Sequence, residues 1–225
     1  MNPPNPPNNE LIISYLTLRK AIGYIGISMP IIVRLGAYLF EGIPSNDSIS
    51  AYYYTGMRDV FVGTLFAIGV FLFCYRGPNR QDNVLTNIAG LSAIAGGLLP
   101  TEPRYHPIIL ERFPGINDPA CACYQNHGWI GYHIYAVAAF FLIISYLALF
   151  RFTKPSQPYI TKQKLSRNKI YRLCGIVMLM SLVAIVAIKV ISKDRSIFWP
   201  ETIAIAAFGI AWLTKGQAFM KDKIA

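Results

Sequence analysis

Six separated apolar stretches constrain the fold of this chain more than any other feature. A helix rises about 1.5 Å per residue, so roughly 20 mostly apolar residues cross a hydrocarbon core about 30 Å thick. Each stretch is long enough, or nearly long enough, for such a crossing, and charged or polar linkers separate them. The sequence therefore predicts an all-α polytopic membrane protein, a six-transmembrane-helix bundle. The predicted spans are approximately 21–40, 60–75, 84–100, 128–150, 170–191 and 199–216.

The composition and length agree with a single membrane domain. Charged residues make up 14% of the 225 positions, against about 25% in soluble domains. One six-helix domain over 21–218 accounts for the length. The Pro/Asn-rich start, MNPPNPPNNE, predicts a disordered tail and cytoplasmic lead-in over 1–20, and 219–225 is expected to be a cytoplasmic tail.

The positive charge is concentrated on one side of the predicted membrane. The formal net charge is +10, and 14 of the 21 Lys and Arg residues fall on that side. An excess of Lys and Arg in short loops marks the cytoplasmic side, so we expect both termini to be cytoplasmic and no nucleic-acid partner. The basic loop 151–172 either sets this topology alone or also contacts anionic lipid headgroups.

Small residues in the third predicted span favour close helix packing. Ala89, Ala93 and Gly97 follow one another at intervals of four, and Ser92 and Gly96 form a neighbouring pair. Small side chains let helix backbones approach each other in lipid, where apolar burial alone does not drive association. We therefore expect this span to pack tightly against its neighbours.

Four ionisable residues extend from the outer side into the predicted spans. Arg34 lies six residues before the end of the first span, about 9 Å deep at helical rise. Asp59 opens the second span, His133 lies about one turn inside the fourth, and Glu201 opens the sixth. Such groups are costly in a membrane and pair with each other or line a wet cavity. A structural pair of Arg34 with Asp59 or Glu201, a ligand pocket and a catalytic site all remain open.

The second outer loop holds a further set of possible ligands. His106, Cys121, Cys123 and His127 are residue types that bind zinc or copper. Their spacing is not a common zinc signature, because paired cysteines in such sites are separated by two or more residues. These four residues are weak candidates for a metal site, and we predict no metal and no cofactor.

Three segments resemble a known membrane family. They are PSNDSISAYYYTGMRDVFVGTLFAIGVFL (44–72), NIAGLSAIAGGLLP (87–100) and GYHIYAVAAFFLIISYLALF (131–150). In order and spacing they resemble the outer loop and the second to fourth spans of the DRAM/Frag-type six-span integral membrane proteins. Arg34 and the CACYQNH segment depart from the family pattern.

The resemblance implies a six-helix bundle with cytoplasmic termini and a lipid-related function. Eukaryotic members of the family are tied to autophagy regulation or to lipid remodelling of glycosylphosphatidylinositol anchors. The residues of this chain that match the family pattern are Ser48, Ser50, Asp59 and His133. No reaction follows from the resemblance, because a shared fold does not establish function.

Three classes of function are compatible with these features. The leading hypothesis is a lipid or amphiphile bound in an outer-leaflet polar pocket. The second is a lipid-modifying acyl transferase or hydrolase that uses His133 as base and Asp59 as its orienting partner. The third is a structural or assembly subunit of a membrane complex.

Expected partners are membrane lipids and other membrane subunits, and a bacterial inner membrane is favoured over a eukaryotic endomembrane. The pocket residues would be Arg34, Ser50, Asp59, His133 and Glu201.

Overall fold

Six α-helices make up most of the part of the chain that the computed structural model describes, which is residues 9–101, 111, 131–154, 162–192 and 195–219. No strand occurs within these ranges. A short 3-10 helix, Ser50–Tyr54, lies between the first two α-helices, and the fourth ends in a π-helical turn, Leu147–Arg151. The helices are α1 (Asn9–Glu41), α2 (Arg58–Cys74), α3 (Arg80–Leu98), α4 (Tyr132–Tyr146), α5 (Lys162–Ile191) and α6 (Phe198–Lys215).

Three of the helices are long and apolar enough to cross a membrane. The qualifying segments are Tyr15–Glu41, Tyr132–Arg151 and Lys162–Ile191. They support the prediction of an all-helical membrane protein. Each of the six predicted apolar stretches falls on a helix, but α2, α3 and α6 are shorter, with 17, 19 and 18 residues. That these three also cross the membrane remains a prediction.

The helical part of the N-terminal region is longer than predicted. A disordered tail and a cytoplasmic lead-in were expected over 1–20, and α1 begins at Asn9, so the lead-in to the first span is helical. The residues after Pro7 include no further proline before Pro30 and no glycine before Gly23. Nothing in this stretch therefore interrupts helical hydrogen bonding, and the helix extends beyond the apolar span.

The six helices form a closed ring in sequence order. Each helix packs against its neighbours along the chain, and α6 packs extensively against α1. Successive helices run antiparallel, since residues at the end of one helix meet residues at the start of the next. In α2 and α3, for example, Val62 lies opposite Gly97 and Gly69 lies opposite Gly90. An even number of antiparallel helices brings the start of α1 and the end of α6 to the same end of the bundle.

Glycines allow the closest helix contacts. Gly69 of α2 and Gly90 of α3 face each other, so a Cβ on either would lie 2.7–2.8 Å from the other residue's carbonyl oxygen. Gly23 of α1 and Gly209 of α6 have the same reciprocal arrangement, at 2.7 Å both ways. In the predicted small-residue stripes of the third span, a Cβ on Gly96 or Gly97 would lie 3.1 Å from Val137 or 3.2 Å from Leu65, while the closest contact of this helix is at Gly90, outside those stripes.

The end of the bundle at which α1 begins and α6 ends carries a buried ion pair and many cations. Asp82 of α3 accepts a hydrogen bond from the Arg151 guanidinium, and both side chains are buried. Arg19 of α1 donates to the Lys215 carbonyl oxygen at 3.3 Å. We call this the basic end. At its inner boundary the fully buried Trp212 makes edge contacts with Tyr75 and Phe152.

The 3-10 helix covers the opposite end of the ring. Its residues Ser50, Ala51 and Tyr52 are buried, and Tyr54 donates to the Thr101 carbonyl oxygen at 2.5 Å. The segment before α6 holds the same region, because the Ile197 amide donates to the Asp47 carbonyl oxygen at 2.7 Å. The α1–α2 connection and the α5–α6 connection therefore meet at this end of the bundle, above α1, α2 and α6.

The contact between α2 and α3 can be tested with one added methyl group. We expect Gly90→Ala to lower the free energy of unfolding by about 1–3 kcal/mol, because the methyl group would overlap the Gly69 carbonyl oxygen. Gly63→Ala is the matched control: nothing lies within 4 Å of its Cβ position, and alanine favours a helix over glycine. Thermal unfolding of both variants in detergent would measure the difference, and an unchanged midpoint for Gly90→Ala would contradict the packing described.

Candidate functional site

The five predicted pocket residues do not form one pocket. Ser50 and His133 are buried together at the end of the bundle opposite the basic end, and Glu201 approaches the same loop from α6. Arg34 lies instead on an open groove between α1 and α6. Asp59 is exposed in the first turn of α2. The expected outer-side site is therefore divided into an interior cluster and a separate groove.

The centre of the interior cluster is a hydrogen bond between a serine and a histidine. Ser50 is the first residue of the 3-10 helix and His133 is the second residue of α4. The Ser50 Oγ lies 2.8 Å from the His133 Nε2. The His133 Nδ1 lies 3.2 Å from the carbonyl oxygen of Leu99, which follows α3. Both ring nitrogens of His133 therefore have partners.

The partner of Nδ1 determines which nitrogen carries the proton in the neutral ring. A carbonyl oxygen only accepts hydrogen bonds, so the Nδ1 of His133 donates to Leu99. The Nε2 of a neutral ring then has a lone pair facing the Ser50 hydroxyl, whose single proton can be donated to this nitrogen or to the Glu201 carboxylate. This tautomer places a proton acceptor directly against a serine hydroxyl.

Glu201 binds the backbone of the same short helix. Its Oε2 accepts a hydrogen bond from the Ile49 amide at 2.5 Å. The backbone amide and the hydroxyl of Ser50 also interact with this carboxylate. Glu201 lies one turn or less into α6, so the contact joins the start of that helix to the segment that carries Ser50.

An apolar cavity adjoins the interior cluster. It has a volume of about 50 Å³ and is lined by residues of α1, α2, α3, α4 and α6. Its walls are mostly Phe, Leu, Ile and Val side chains, and its polar lining residues are Ser50, Ser92 and Glu201. A cavity of this size is roughly a third of the 150 Å³ that accommodates benzene in an engineered protein core. It therefore has room for a small group but not for a long acyl chain.

Asp59 is not a partner of His133. Both nitrogens of the His133 ring are engaged by Leu99 and Ser50, whereas the Asp59 side chain is exposed. A carboxylate in the first turn of a helix is favoured by the helix dipole without any further role. The arrangement in which Asp59 orients the histidine is therefore not the one observed.

Among the described residues, Arg34 is not paired with a carboxylate. The ion pair of the described residues joins Arg151 to Asp82, and neither Asp59 nor Glu201 is bound to Arg34. Its guanidinium lies instead over two aromatic rings, 5.3 Å from the centroid of Phe198 and 5.9 Å from that of Trp199. Burial raises the pKa of the nearby Tyr52 phenol, and the Arg34 charge acts in the opposite direction.

The groove that contains Arg34 is large and open on one side. Its volume is about 450 Å³, which is within the roughly 300–1,000 Å³ typical of ligand sites. Several of its apolar walls are exposed, including Ile31 at 63% and Trp199 at 63%. Its lining residues are Pro30, Ile31, Arg34, Leu35, Tyr38, Pro44, Phe198, Trp199 and Thr202.

Some partners in both sites were not predicted from the sequence. The Leu99 carbonyl and the Ile49 amide are backbone groups, so no residue type marks them. Trp199 and its neighbour Phe198 do carry a signal, but aromatic residues close to a predicted span end are equally typical of an interfacial belt. Their position one helix away from Arg34 could not be seen without the packing of α1 against α6.

The metal candidates cannot be placed by the fold. His106, Cys121, Cys123 and His127 lie outside the described residues. Within the described residues, no three His, Cys, Asp or Glu side chains are close enough to hold a metal ion.

Comparison with known proteins gives no relative for this chain. No family model matches it, and neither the curated proteins nor the solved structures contain a significant match. The resemblance to the DRAM/Frag-type proteins therefore stays a prediction from the three segments quoted above.

The hydrogen bond between the Ile49 amide and Glu201 should limit local opening of the chain at the start of the 3-10 helix. In Glu201→Ala, we expect faster hydrogen exchange at the Ile49 amide, because this buried donor would lose its acceptor. Thr202→Ala is the control, since the Thr202 hydroxyl donates only within its own helix, to Phe198. Exchange followed by mass spectrometry would show a local increase in the first variant alone. Equal exchange of the Ile49 segment in both variants would show that Glu201 does not hold this loop.

Proposed function

We propose that this chain is a six-span membrane protein with cytoplasmic termini that binds a phosphate-bearing lipid through Arg34. The single observation that carries the proposal is an arginine with no carboxylate partner among the described residues, set in an open apolar groove. The proposal retains the lipid-binding hypothesis but moves its centre from the interior cluster to the groove between α1 and α6.

The closed antiparallel ring supports six spans. Each of the three shorter helices packs in the ring against at least one helix that qualifies as membrane-spanning by length and apolarity. A helix whose neighbours cross the bilayer lies at the same depth, and lipid tolerates 17–19 residues through local thinning or flanking polar side chains. The cations at the basic end support a cytoplasmic position for that end.

The unpaired guanidinium supports an anionic ligand. Arg34 lies within the apolar segment Tyr15–Glu41, where an isolated charge is costly. Its aromatic neighbours Phe198 and Trp199 stabilise the cation by stacking but do not neutralise it. A phosphate oxygen pair matches the planar fork of a guanidinium and neutralises the charge.

The walls of the groove support a lipid rather than a small polar anion. Exposed apolar side chains, among them Ile31, Leu35 and Tyr38, extend along α1 beside Arg34. They offer a surface for an acyl chain whose headgroup phosphate is bound at the arginine. The interior cavity, at about 50 Å³, is too small to serve this purpose.

Binding of added phospholipid to the purified protein tests the proposal. In native mass spectra with added phosphatidylglycerol, we expect Arg34→Gln to weaken binding about tenfold or more, because a hydrogen bond to a charged group contributes about 1.5–3 kcal/mol. Arg58→Gln is the matched control: Arg58 is exposed near the same end and is bound to Tyr53. Parallel samples with inorganic phosphate and with a fatty acid separate the three ligand sources.

Several outcomes would count against phospholipid binding at Arg34. They are equal phospholipid binding by both variants, binding of inorganic phosphate alone, and a copurified protein chain in place of lipid. The last of these would support an assembly subunit.

The topology can be tested independently of any ligand. We expect reporters fused at the N terminus and the C terminus to be active only in the cytoplasm, because α1 begins and α6 ends at the basic end. A reporter inserted after Asp47, in the opposite connection, should have the reverse behaviour. A C-terminal reporter active outside the cytoplasm would contradict the even number of crossings.

A further inference from the structure

The interior cluster has the arrangement of a nucleophile and its base. We propose that Ser50 is the nucleophile, and His133 the general base, of a transfer reaction on a short-chain acyl ester. This site shares no residue with the Arg34 groove, so either proposal can fail while the other holds.

The Ser50 hydroxyl, the His133 ring and the Leu99 carbonyl are arranged in the way that activates a serine. The Ser50 Oγ is 2.8 Å from the His133 Nε2, which is within hydrogen-bonding reach for proton transfer. The opposite ring nitrogen is oriented by the Leu99 carbonyl oxygen at 3.2 Å. A nucleophile bonded to a base, with the base oriented by a third group, is the general signature of covalent catalysis by serine. Here a backbone carbonyl takes the place of the orienting carboxylate.

The backbone amides of Ile49 and Ser50 form a binding position for a negatively charged oxygen. The Ile49 amide donates to the Glu201 carboxylate at 2.5 Å, and the Ser50 amide interacts with the same group. Convergent backbone N–H groups also stabilise the oxyanion of an acyl transfer intermediate. Glu201 fills this position when no substrate is bound, and the substrate carbonyl oxygen would take the amides from it.

The adjoining cavity limits the acyl group. Ser50 lies in the cavity lining, and most of the other lining residues are apolar. A volume of about 50 Å³, roughly a third of a benzene-sized cavity, suits an acyl group of two or three carbons. Both Ser50 and His133 are less than 10% exposed, so bulk water is excluded from the reacting atoms.

The reaction balances without any cofactor. The Ser50 Oγ forms a bond to the acyl carbon while its proton passes to the His133 Nε2. The bond from the acyl carbon to the alcohol oxygen breaks, and His133 returns the proton to that leaving alcohol. Water or a second alcohol then attacks the acyl-serine in the reverse sequence, with His133 again taking and returning the proton, which regenerates the free hydroxyl.

A small dialkyl fluorophosphate provides a direct test on the folded, detergent-solubilised chain. In this reaction the Ser50 oxygen bonds to phosphorus, fluoride leaves, and His133 accepts the proton. We expect peptide mass spectrometry of the unaltered protein to locate the label on Ser50. Ser50→Ala should abolish labelling, and His133→Asn should slow it at least about 100-fold, the usual lower size of a general-base effect.

The control is a serine outside the cavity. Ser28→Ala should label at the rate of the unaltered protein, since the Ser28 hydroxyl donates to the Ile25 carbonyl oxygen of its own helix at 3.1 Å and Ser28 lines neither the cavity nor the groove. Turnover of p-nitrophenyl acetate, but not of a long-chain ester, should follow the same ranking of variants. Absence of label on the folded protein, or a label on any other residue, would overturn the proposal. Mapping the label on the unaltered chain decides the matter even if Ser50→Ala does not fold.

Discussion

Polar groups buried in this helix bundle must find their partners within the protein, and this requirement accounts for much of the structure. Asp82 meets Arg151 at the basic end, and Glu201 meets the amides at the start of the 3-10 helix. His133 uses both ring nitrogens on partners from other elements. Because lipid offers no competing hydrogen bonds, each contact fixes the relative position of two chain segments.

Close backbone contact makes these polar contacts possible. The two reciprocal glycine pairs bring α2 onto α3 and α6 onto α1, which sets the distance across which side chains reach each other. The pairing of α6 with α1 also places Phe198 and Trp199 against Arg34. Packing of small residues therefore determines both the interior cluster and the groove, although no glycine belongs to either proposed set of functional groups.

The separation of the two sites has chemical consequences. The interior cluster is enclosed, nearly dry and rich in directed hydrogen bonds, which suits proton transfer on a small reactant. The groove is open to the lipid side, apolar and positively charged at one point, which suits the binding of an amphiphile. The first turn of α6 separates the interior cluster from the groove, since Glu201 lines the cavity and Trp199 is exposed.

The sequence alone determined the helical class, the six helix positions and the charge difference between the two ends. These properties depend on local apolar length and on which linkers carry Lys and Arg, so they can be read without knowing how the helices pack. It also singled out Arg34, His133 and Glu201, because ionisable groups in apolar segments are rare, and Ser50 through the family resemblance. The start of α1 at Asn9 was missed, since composition outweighed helix continuity in that interpretation.

Only the tertiary structure decided which of those residues meet. Arg34 had two possible acidic partners by charge, yet it stacks on aromatic rings, and His133 is bonded to Ser50 rather than to Asp59. Pairings of this kind depend on helix order, rotation and depth, and on backbone groups such as the Leu99 carbonyl that have no signature in the residue type. The closed ring of helices sets all of these, because contacts distant in sequence form only when α6 packs back onto α1.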